Sequence, residues 1–175
     1  TLSPETPILE LPEEFGWGKS WPFSKEEISR YDDRGPAWYW NNIKCGEHTG
    51  THFDAPIHWV TGQDLPDNAP DTLPPERFVG PAVVIDAVAE AENDPDFLMS
   101  LDFLKSWESE NGTIPDGAWV LYRTDWSKKG SKEAYLNKDE TGGHTPGWDP
   151  ETVAFLAQER NIIGVGVETV GTDSG

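Results

Sequence analysis

The sequence is poor in cysteine, in basic residues and in long apolar runs, and each shortage excludes a class of protein. Its 175 residues include a single cysteine, Cys45, so no disulfide can form within the chain. A chain of this length can bury a core without such a crosslink. We expect Cys45 to be a buried small residue rather than a nucleophile, and a lone cysteine fits a reducing compartment such as the cytoplasm.

Basic residues are few, at 13 against 32 acidic ones, and the formal net charge is −19. Such a chain is repelled by nucleic acid and by anionic membrane surfaces. We therefore expect no nucleic-acid or membrane partner, and we interpret the acidic residues as a solvated surface.

No run of about 18 apolar residues, the length that spans a bilayer, occurs anywhere in the chain. The opening stretch TLSPETPILELPEEFG lacks the basic and apolar regions of a secretory signal peptide. These two features predict a soluble protein. Because the chain opens on Thr1 rather than on methionine, we also expect the true start to be missing.

The first third of the chain is predicted to consist of an arm, a short helix and a strand. Residues 1–23, rich in proline and glycine, indicate an extended arm. A helix is predicted over SKEEISRYDD, residues 24–33, because Ser24 and Glu27 form a capping box. The aromatic and β-branched stretch PAWYWNNIKCGEHTG, residues 36–50, is typical of a strand.

The rest of the chain alternates apolar runs, typical of buried strands, with capped amphipathic stretches, typical of helices. The first apolar run has the pattern of a strand covered on both faces. Gly164 and Gly166 share one strand face and would let another element approach closely. Predicted are a loop at 61–81, strands at 82–88, 118–126 and 162–170, and helices at 100–112 and 149–161.

Strands that alternate with helices predict an α/β fold. We expect a single compact domain over residues 1–175, with a mixed sheet and few helices, rather than a doubly wound sheet, because the first third of the chain does not alternate.

Nine tryptophans are many for this length, and five of them fall in the first third of the chain: Trp17, Trp21, Trp38, Trp40 and Trp59. Large aromatic side chains commonly serve a core or an oligomer interface. A pocket for a flat aromatic substrate is the alternative.

The stretch EHTGTHFDAPIHW, residues 47–59, holds three of the four histidines and one aspartate. In a straight strand His48 and His52 would stand about 13 Å apart, too far to share one metal ion. A helix is disfavoured by Gly50 and by the proline at position 56. We therefore expect a bent strand or turn, with its sharp turn at Gly50.

Imidazole nitrogens together with one carboxylate suit zinc, manganese or iron, and a catalytic metal takes three protein ligands and leaves an open position for water. His48, His52 and Asp54 supply three ligands. His58 then remains to take a proton from water and return it to a leaving nitrogen. This set of residues is suited to hydrolysis of an amide.

The run HTGTHFDAPIH resembles the HxGTHxDxPxH signature of the cyclase family, which includes bacterial kynurenine formamidases and isatin hydrolases. The stretches SRYDDRGPAWYWNNI, FVGPAVVIDA, IPDGAWVLYRTDWS and ERNIIGVGVETVGTDSG are more similar to the isatin hydrolase branch. The resemblance implies a swivelling β/β/α-type domain and a homodimer or higher homo-oligomer.

Carried over residue by residue, the resemblance implies metal ligands at His48, His52 and Asp54 and proton transfer by His58. It implies one divalent metal, Mn²⁺ first and Zn²⁺ as the alternative. Formamidases of the family place a further His and Glu ligand in a C-terminal segment. We therefore expect this chain to lack its C-terminal portion, and with it the ligands of a second metal.

Weaker candidates for the substrate site are Trp59, His144 and Ser174. His144 lies in the glycine-flanked stretch TGGHTPGW, and Ser174, like Glu168 and Asp173, lies at or beyond the end of a predicted strand, where α/β proteins tend to build sites. Ordinary loop or strand-end roles are open for all of them. A Ser-His-Asp triad is disfavoured, because no GxSxG elbow occurs in the sequence.

The residues predict a metal-dependent hydrolase of an amide, and the resemblance implies that the amide is the cyclic one of isatin, opened to isatinate. An arylformamidase acting on N-formylkynurenine is the alternative within the same chemistry. A non-catalytic binding module with the same fold is the alternative from another class.

Overall fold

A computed structural model describes residues 2–8, 16 and 18–174 of the chain. The chain divides into two compact units, residues 1–63 and residues 64–175. Much of the predicted N-terminal arm, including Trp17, lies outside the described residues. The expectation of a single domain over residues 1–175 stays a prediction. Within the described part of the chain, no helix has the length and apolar character that crossing a membrane requires.

The first unit is built on an antiparallel hairpin of strands β1 (Ser24–Asp32) and β2 (Gly35–Lys44). The turn between them is set locally, because the Asp32 carboxylate accepts a hydrogen bond from the Arg34 backbone N–H at 3.0 Å. The predicted strand at 36–50 is confirmed as far as Lys44.

The predicted helix at 24–33 is wrong, since this stretch is strand β1. A capping box stabilises only one helical turn, and the stretch has no apolar stripe that a helix could bury. Strand pairing instead lets the Arg30 guanidinium lie 4.2 Å from the centre of the Tyr39 ring, across the hairpin. Contacts between strands therefore outweigh the local helix signal.

The second unit is built on a three-stranded parallel sheet with the strand order β3-β5-β7. A second, two-stranded parallel pair joins β4 to β6. The elements are β3 (Ala82–Asp86), α1 (Val88–Asn93), β4 (Leu98–Met99), α2 (Leu101–Asn111), β5 (Trp119–Arg123), α3 (Lys132–Leu136), β6 (Gly147–Trp148), α4 (Pro150–Glu159) and β7 (Gly164–Gly166).

The α/β class with few helices is confirmed, and its parallel and antiparallel pairings lie in separate sheets. Helix α2 begins where predicted, because the Ser100 side chain accepts from the Phe103 N–H at 3.2 Å. Helix α4 begins after Asp149, whose carboxylate accepts from the Glu151 N–H at 2.8 Å. The predicted loop at 61–81 contains short 3₁₀ turns at Val60–Gly62 and Pro75–Phe78.

The core of the second unit lies on one side of the three-stranded sheet. Its fully buried members are strand and helix residues such as Ile85, Leu104, Val120 and Leu156. On the other side of the sheet Val84 is 51% exposed, so the expectation that 82–88 is covered on both faces is wrong for the described residues. An apolar run predicts a strand with apolar side chains on both faces, but it does not predict whether other elements cover both of them.

The two glycines of β7 allow the close approach that the sequence predicts. Gly164 lies directly against the Trp119 ring, and a Cβ at Gly166 would stand 2.8 Å from Leu121 Cδ2. A side chain at either position would displace its β5 neighbour, so these glycines leave room for the Trp119 and Leu121 side chains.

His144 ties together the two loops that precede β4 and β6. Its Nδ1 donates to the Asp96 carboxylate at 2.9 Å, while its Nε2 lies 2.9 Å from Thr141 Oγ1 and 3.3 Å from Asp139. The Thr141 hydroxyl donates to Asp139 at 2.6 Å and so accepts from His144. Both ring nitrogens therefore donate, which is the bonding of an imidazolium.

These contacts shift two pKa values in opposite directions. Hydrogen bonds to Asp96 and then to Asp139 raise the pKa of His144 above its ordinary 6.5. Hydrogen bonds from Thr141 lower the pKa of Asp139 to about 2. The His144 contacts therefore stabilise the fold below pH 6.5 and lose that effect as the pH rises through the folded-state pKa. The Asp139 contribution is present above pH 3.8 and is lost only as the pH falls through about 2.

We expect His144→Gln to reduce the decline in thermal stability between about pH 6 and pH 9, because the variant has no imidazolium to lose. Thermal melts over this range measure the decline. Asp96→Asn should lower the pKa of His144, which NMR titration of the imidazole signals reports. A wild-type melting profile that His144→Gln leaves unchanged would show that the pairing contributes nothing to stability.

Candidate metal centre

The segment that carries the histidine cluster is a bent turn rather than a helix or a straight strand. Gly50 has φ +73°, a conformation that other residues rarely adopt, and a Cβ there would stand 2.5 Å from Leu2 Cδ2. The predicted turn at Gly50 is therefore confirmed. It brings His48 and His52 to a ring-centroid distance of 4.9 Å, far closer than a straight strand allows.

Asp54 lies between these two imidazoles and offers the same oxygen to both. Its Oδ1 is 2.9 Å from His48 Nδ1 and 3.2 Å from His52 Nε2. Ligand atoms about 2.1 Å from a tetrahedral metal are about 3.4 Å apart, so these spacings are close to those of a coordination shell. Each imidazole therefore brings one ring nitrogen next to the same carboxylate oxygen, and the choice of His48, His52 and Asp54 as ligands stays a prediction.

The His52 ring is held in the tautomer that a metal ligand needs. Its Nδ1 lies 2.7 Å from the Gly50 carbonyl oxygen. A carbonyl can only accept, so Nδ1 carries the proton, and in the neutral ring the lone pair of Nε2 faces Asp54. A lone pair 3.2 Å from a carboxylate oxygen is repelled unless a cation or a proton lies between them. The bond to Gly50 is the type of outer contact that orients metal-binding histidines.

His58 reaches the same cluster from the short 3₁₀ helix Pro56–His58. Its ring centroid is 4.2 Å from that of His48. One ligand atom each from His48, Asp54 and His58 lie within 4.8 Å of one another. The structure thus brings all four predicted residues together, and it places His58 close enough to be a ligand.

Sequence reasoning placed His58 beside the metal for proton transfer and did not consider it as a ligand. Positions 48, 52, 54 and 58 are all separated by even numbers of residues, which indicates that their side chains share one side of the segment. This pattern gives no distances between side chains when the segment bends. The hydrogen bond from His52 to Gly50 has no signal in the sequence, because it depends on a rotamer. The ligand and proton-transfer roles of these residues stay predictions.

The cluster is accessible from solvent. The side chains of His48, His52 and Asp54 are 34%, 28% and 36% exposed. The Glu47 carboxylate stands 3.5 Å from His48 Nε2 and adds negative charge beside the imidazoles. Nitrogen and carboxylate donors with an open side support a divalent metal, and this donor set suits several such metals.

Apolar side chains surround the cluster within the same unit. Trp59 is 59% exposed, and its ring meets that of His58 edge to face at 4.7 Å. Phe53 and Ile57, next to Asp54 and His58 in the chain, are 40% and 51% exposed. Exposed apolar side chains therefore lie next to the histidine cluster.

The other predicted contact residues belong to the second unit. His144 is engaged in the contacts to Asp96, Asp139 and Thr141, and the backbone at Ser174 lies against Gly147. Their place in a substrate site stays a prediction.

Glu168, a further polar residue near the end of the third predicted strand, holds a turn. Its carboxylate accepts from the Thr124 N–H at 2.7 Å and from the Ser127 hydroxyl at 2.6 Å.

Comparison with known proteins relates this site to characterised enzymes. The chain is 48% identical over 176 residues to isatin hydrolase from Roseibium aggregatum, which covers 99% of this chain and 66% of the relative. It is 32% identical over 124 residues to kynurenine formamidase from Salinibacter ruber, covering 68% of this chain and 53% of the relative. The chain thus spans less than two thirds of the length of these relatives.

The fold agrees with the sequence comparison. Isatin hydrolase A from Ralstonia solanacearum superposes on the whole of this chain with a TM-score of 0.95 and 57% identity, which uses 66% of that chain. The model of the Cyclase family matches residues 1–174. This chain therefore belongs to the Cyclase family.

Proposed function

We propose that this protein is a metal-dependent hydrolase that opens the cyclic amide of isatin to isatinate. The convergence of His48, His52 and Asp54 around one carboxylate oxygen carries the proposal, since it creates a place for a single divalent ion. The similarity to isatin hydrolases supports the choice of substrate.

In the proposed site His48, His52 and Asp54 hold the metal, and His58 handles the proton. A divalent ion bound there lowers the pKa of water and polarises a carbonyl. His58 takes one proton from the attacking water as the new carbon–oxygen bond forms. It returns that proton to the amide nitrogen as the carbon–nitrogen bond breaks, which leaves an aromatic amine and a carboxylic acid. The acid then loses the second proton of the water to solvent and becomes a carboxylate. The ring contacts of His58 with His48 and Trp59 keep its imidazole beside the cluster.

Trp59 is the first candidate for a contact with the flat substrate, because its ring is exposed and borders His58. His144 and Ser174 are further candidates. We propose Mn²⁺ as the metal, with Zn²⁺ as the alternative, and a homodimer or higher homo-oligomer as the assembly, as the family resemblance implies.

Hydrolysis of the open-chain amide N-formylkynurenine is a second candidate function. The 32% identity to a kynurenine formamidase favours it, and the same residues would serve. The greater identity to isatin hydrolases places it second. A non-catalytic binding module is the third candidate, and a folded protein that binds no metal would favour it.

The substrate is tested by giving the purified protein, loaded with Mn²⁺ or with Zn²⁺, isatin and N-formylkynurenine in separate reactions. We expect isatinate to form with a kcat/KM above that for N-formylkynurenine, since a planar ring suits the exposed Trp59 surface. Chromatography of the products measures both rates. The opposite preference supports the formamidase, and no turnover of either substrate contradicts both enzymatic proposals.

The ligand assignment predicts that His52→Ala loses the metal. Removal of one of three ligands should weaken binding by more than the ~10- to 100-fold that loss of a supporting contact costs. Metal content after dialysis, measured by mass spectrometry, gives the stoichiometry. His144→Ala is the matched control, because it removes the one histidine outside the cluster. If His58→Ala loses the metal and His52→Ala retains it, the ligands are His48, Asp54 and His58.

The proton-transfer role predicts that His58→Ala retains the metal but lowers kcat by about 10²- to 10⁴-fold. The loss should fall on kcat rather than on KM, and added imidazole should restore part of the rate. Steady-state kinetics on samples of equal metal content make the comparison. Wild-type turnover by the variant would remove His58 from the reaction.

A further inference from the structure

The second unit holds a cavity of about 400 Å³ at the carboxyl end of strand β5. The turn that follows β5 provides Thr124, Asp125 and Trp126 to its lining, and helix α1 provides Ala91 and Glu92. In sheets of parallel strands, ligands bind in the crevice outside the carboxyl ends of the strands. The volume is also within the range of sites for small molecules. We call this space the β5 cavity.

Hydrogen bonds hold the groups around the β5 cavity in place. The Trp126 indole N–H donates to the Tyr135 carbonyl oxygen at 2.8 Å. Asn137, which also lines the cavity, donates through its side-chain amide to the His144 carbonyl oxygen at 2.7 Å. A site whose walls are already fixed loses little conformational entropy when a ligand binds, so these contacts favour binding.

The charged groups of the lining are of two kinds, paired and unpaired. Asp125 is paired, because its Oδ1 accepts from Arg123 at 3.0 Å and its Oδ2 accepts from Lys128 at 2.6 Å. Glu92 and Lys129 differ, since within the described part of the chain neither side chain forms an ion pair. The lining thus offers one unpaired carboxylate and one unpaired ammonium to a ligand.

An aromatic ring keeps the Lys129 ammonium at the lining. The ammonium lies 4.3 Å from the centre of the Trp126 ring, which is a cation–π contact, and Trp126 is only 2% exposed. Glu92 belongs to helix α1, so the two unpaired charges come from separate elements. Ala91 and Pro95 add apolar surface. A cavity with positive, negative and apolar groups suits a molecule that carries all three features.

We propose that the β5 cavity binds a small α-amino acid with an apolar side chain, in its zwitterionic form. The Glu92 carboxylate accepts from the ammonium of the ligand, and the Lys129 ammonium donates to its carboxylate. The ligand side chain packs against Ala91 and Pro95. Because a zwitterion has no net charge, the formal charge of −19 does not repel it as it repels an anion. This inference stands apart from the proposed reaction, since its residues lie outside the histidine cluster and its test measures binding rather than turnover.

Isothermal titration calorimetry of the intact, Mn²⁺-loaded protein tests the ligand class with three molecules that share a phenyl ring. L-Phenylalanine carries both charges, 2-phenylethylamine lacks the carboxylate, and 3-phenylpropionate lacks the amine. We expect a Kd of about 0.1 to 1 mM for L-phenylalanine, as for other ligands of this size. Each analogue should bind at least about 10-fold more weakly, because one charged group of the cavity stays unpaired. No binding of L-phenylalanine up to about 10 mM, or equal binding of all three, would overturn the proposal.

Glu92→Gln and Lys129→Met should each weaken the binding of L-phenylalanine by at least about 10-fold, since each removes one charge and keeps the length of the side chain. Glu110→Gln is the matched control for the first variant, because Glu110 is an exposed glutamate of helix α2. Lys105→Met is the control for the second, because the Lys105 ammonium also lies near an aromatic ring, 5.3 Å from the centre of the Phe155 ring. Wild-type affinity in both cavity variants, or equal losses in the controls, contradicts the proposal.

Hydrogen exchange of the unmodified protein locates the ligand independently of any substitution. L-Phenylalanine should increase the protection of backbone amides in residues 124–129, because a bound ligand restrains the turn that lines the β5 cavity. An amino acid can also bind to a metal ion through its amine and carboxylate. Protection confined to residues 47–59, or no change in protection, would therefore contradict the proposal.

Discussion

The candidate site depends on the position of one carboxylate oxygen, Asp54 Oδ1, between two imidazole rings. Asp54 Oδ1 lies 2.9 Å from His48 Nδ1 and 3.2 Å from His52 Nε2, and its negative charge between these rings favours a cation or a proton there. The backbone conformation of Gly50 makes this possible, because it folds the chain between His48 and His52. The Gly50 carbonyl also fixes the His52 ring, so a single residue governs both the path of the chain and the direction of a ligand.

The charge of the chain affects which partners it attracts. The net charge of −19 disfavours binding to other anionic macromolecules. Next to the histidine cluster, Glu47 and Asp54 provide carboxylates that attract a divalent cation. The same acidity therefore repels large anionic partners and attracts a small cation.

The sequence predicted best those features whose cause lies within a few neighbouring residues. The capped helices α2 and α4 were predictable because Ser100 and Asp149 bond to the first turn of the helix they precede. The bend at Gly50 followed from the reach of a metal ligand. The capping box at Ser24 was an equally local signal, yet it failed because the pairing partner of that segment, including Tyr39, lies across a turn. Helices α1 and α3, of six and five residues, are too short for a periodic pattern to reveal.

The sequence identified which residues form the candidate site, but it did not predict how their side chains lie relative to one another. The motif named four residues that the structure does bring together, but whether His58 or His52 completes the ligand set depends on ring orientations that no spacing encodes. Exposure of Val84 could not be predicted either, since an apolar run is compatible with one covered face or with two.

The strand order β3-β5-β7 determines when the strands of the second unit can pair during synthesis. Strand β5 is central in the sheet, and its neighbour β3 precedes it in the sequence whereas β7 follows it. One edge of β5 can therefore pair as soon as β5 is made, but the other can pair only after β7 is made. The turn that follows β5 also depends on a later residue, because Thr124 and Ser127 donate hydrogen bonds to Glu168, more than 40 residues further along the chain. During synthesis on the ribosome, the second backbone edge of β5 therefore stays unpaired until Gly164–Gly166 emerges from the exit tunnel. In that interval a nascent chain is open to wrong pairing, and chaperone binding would protect it.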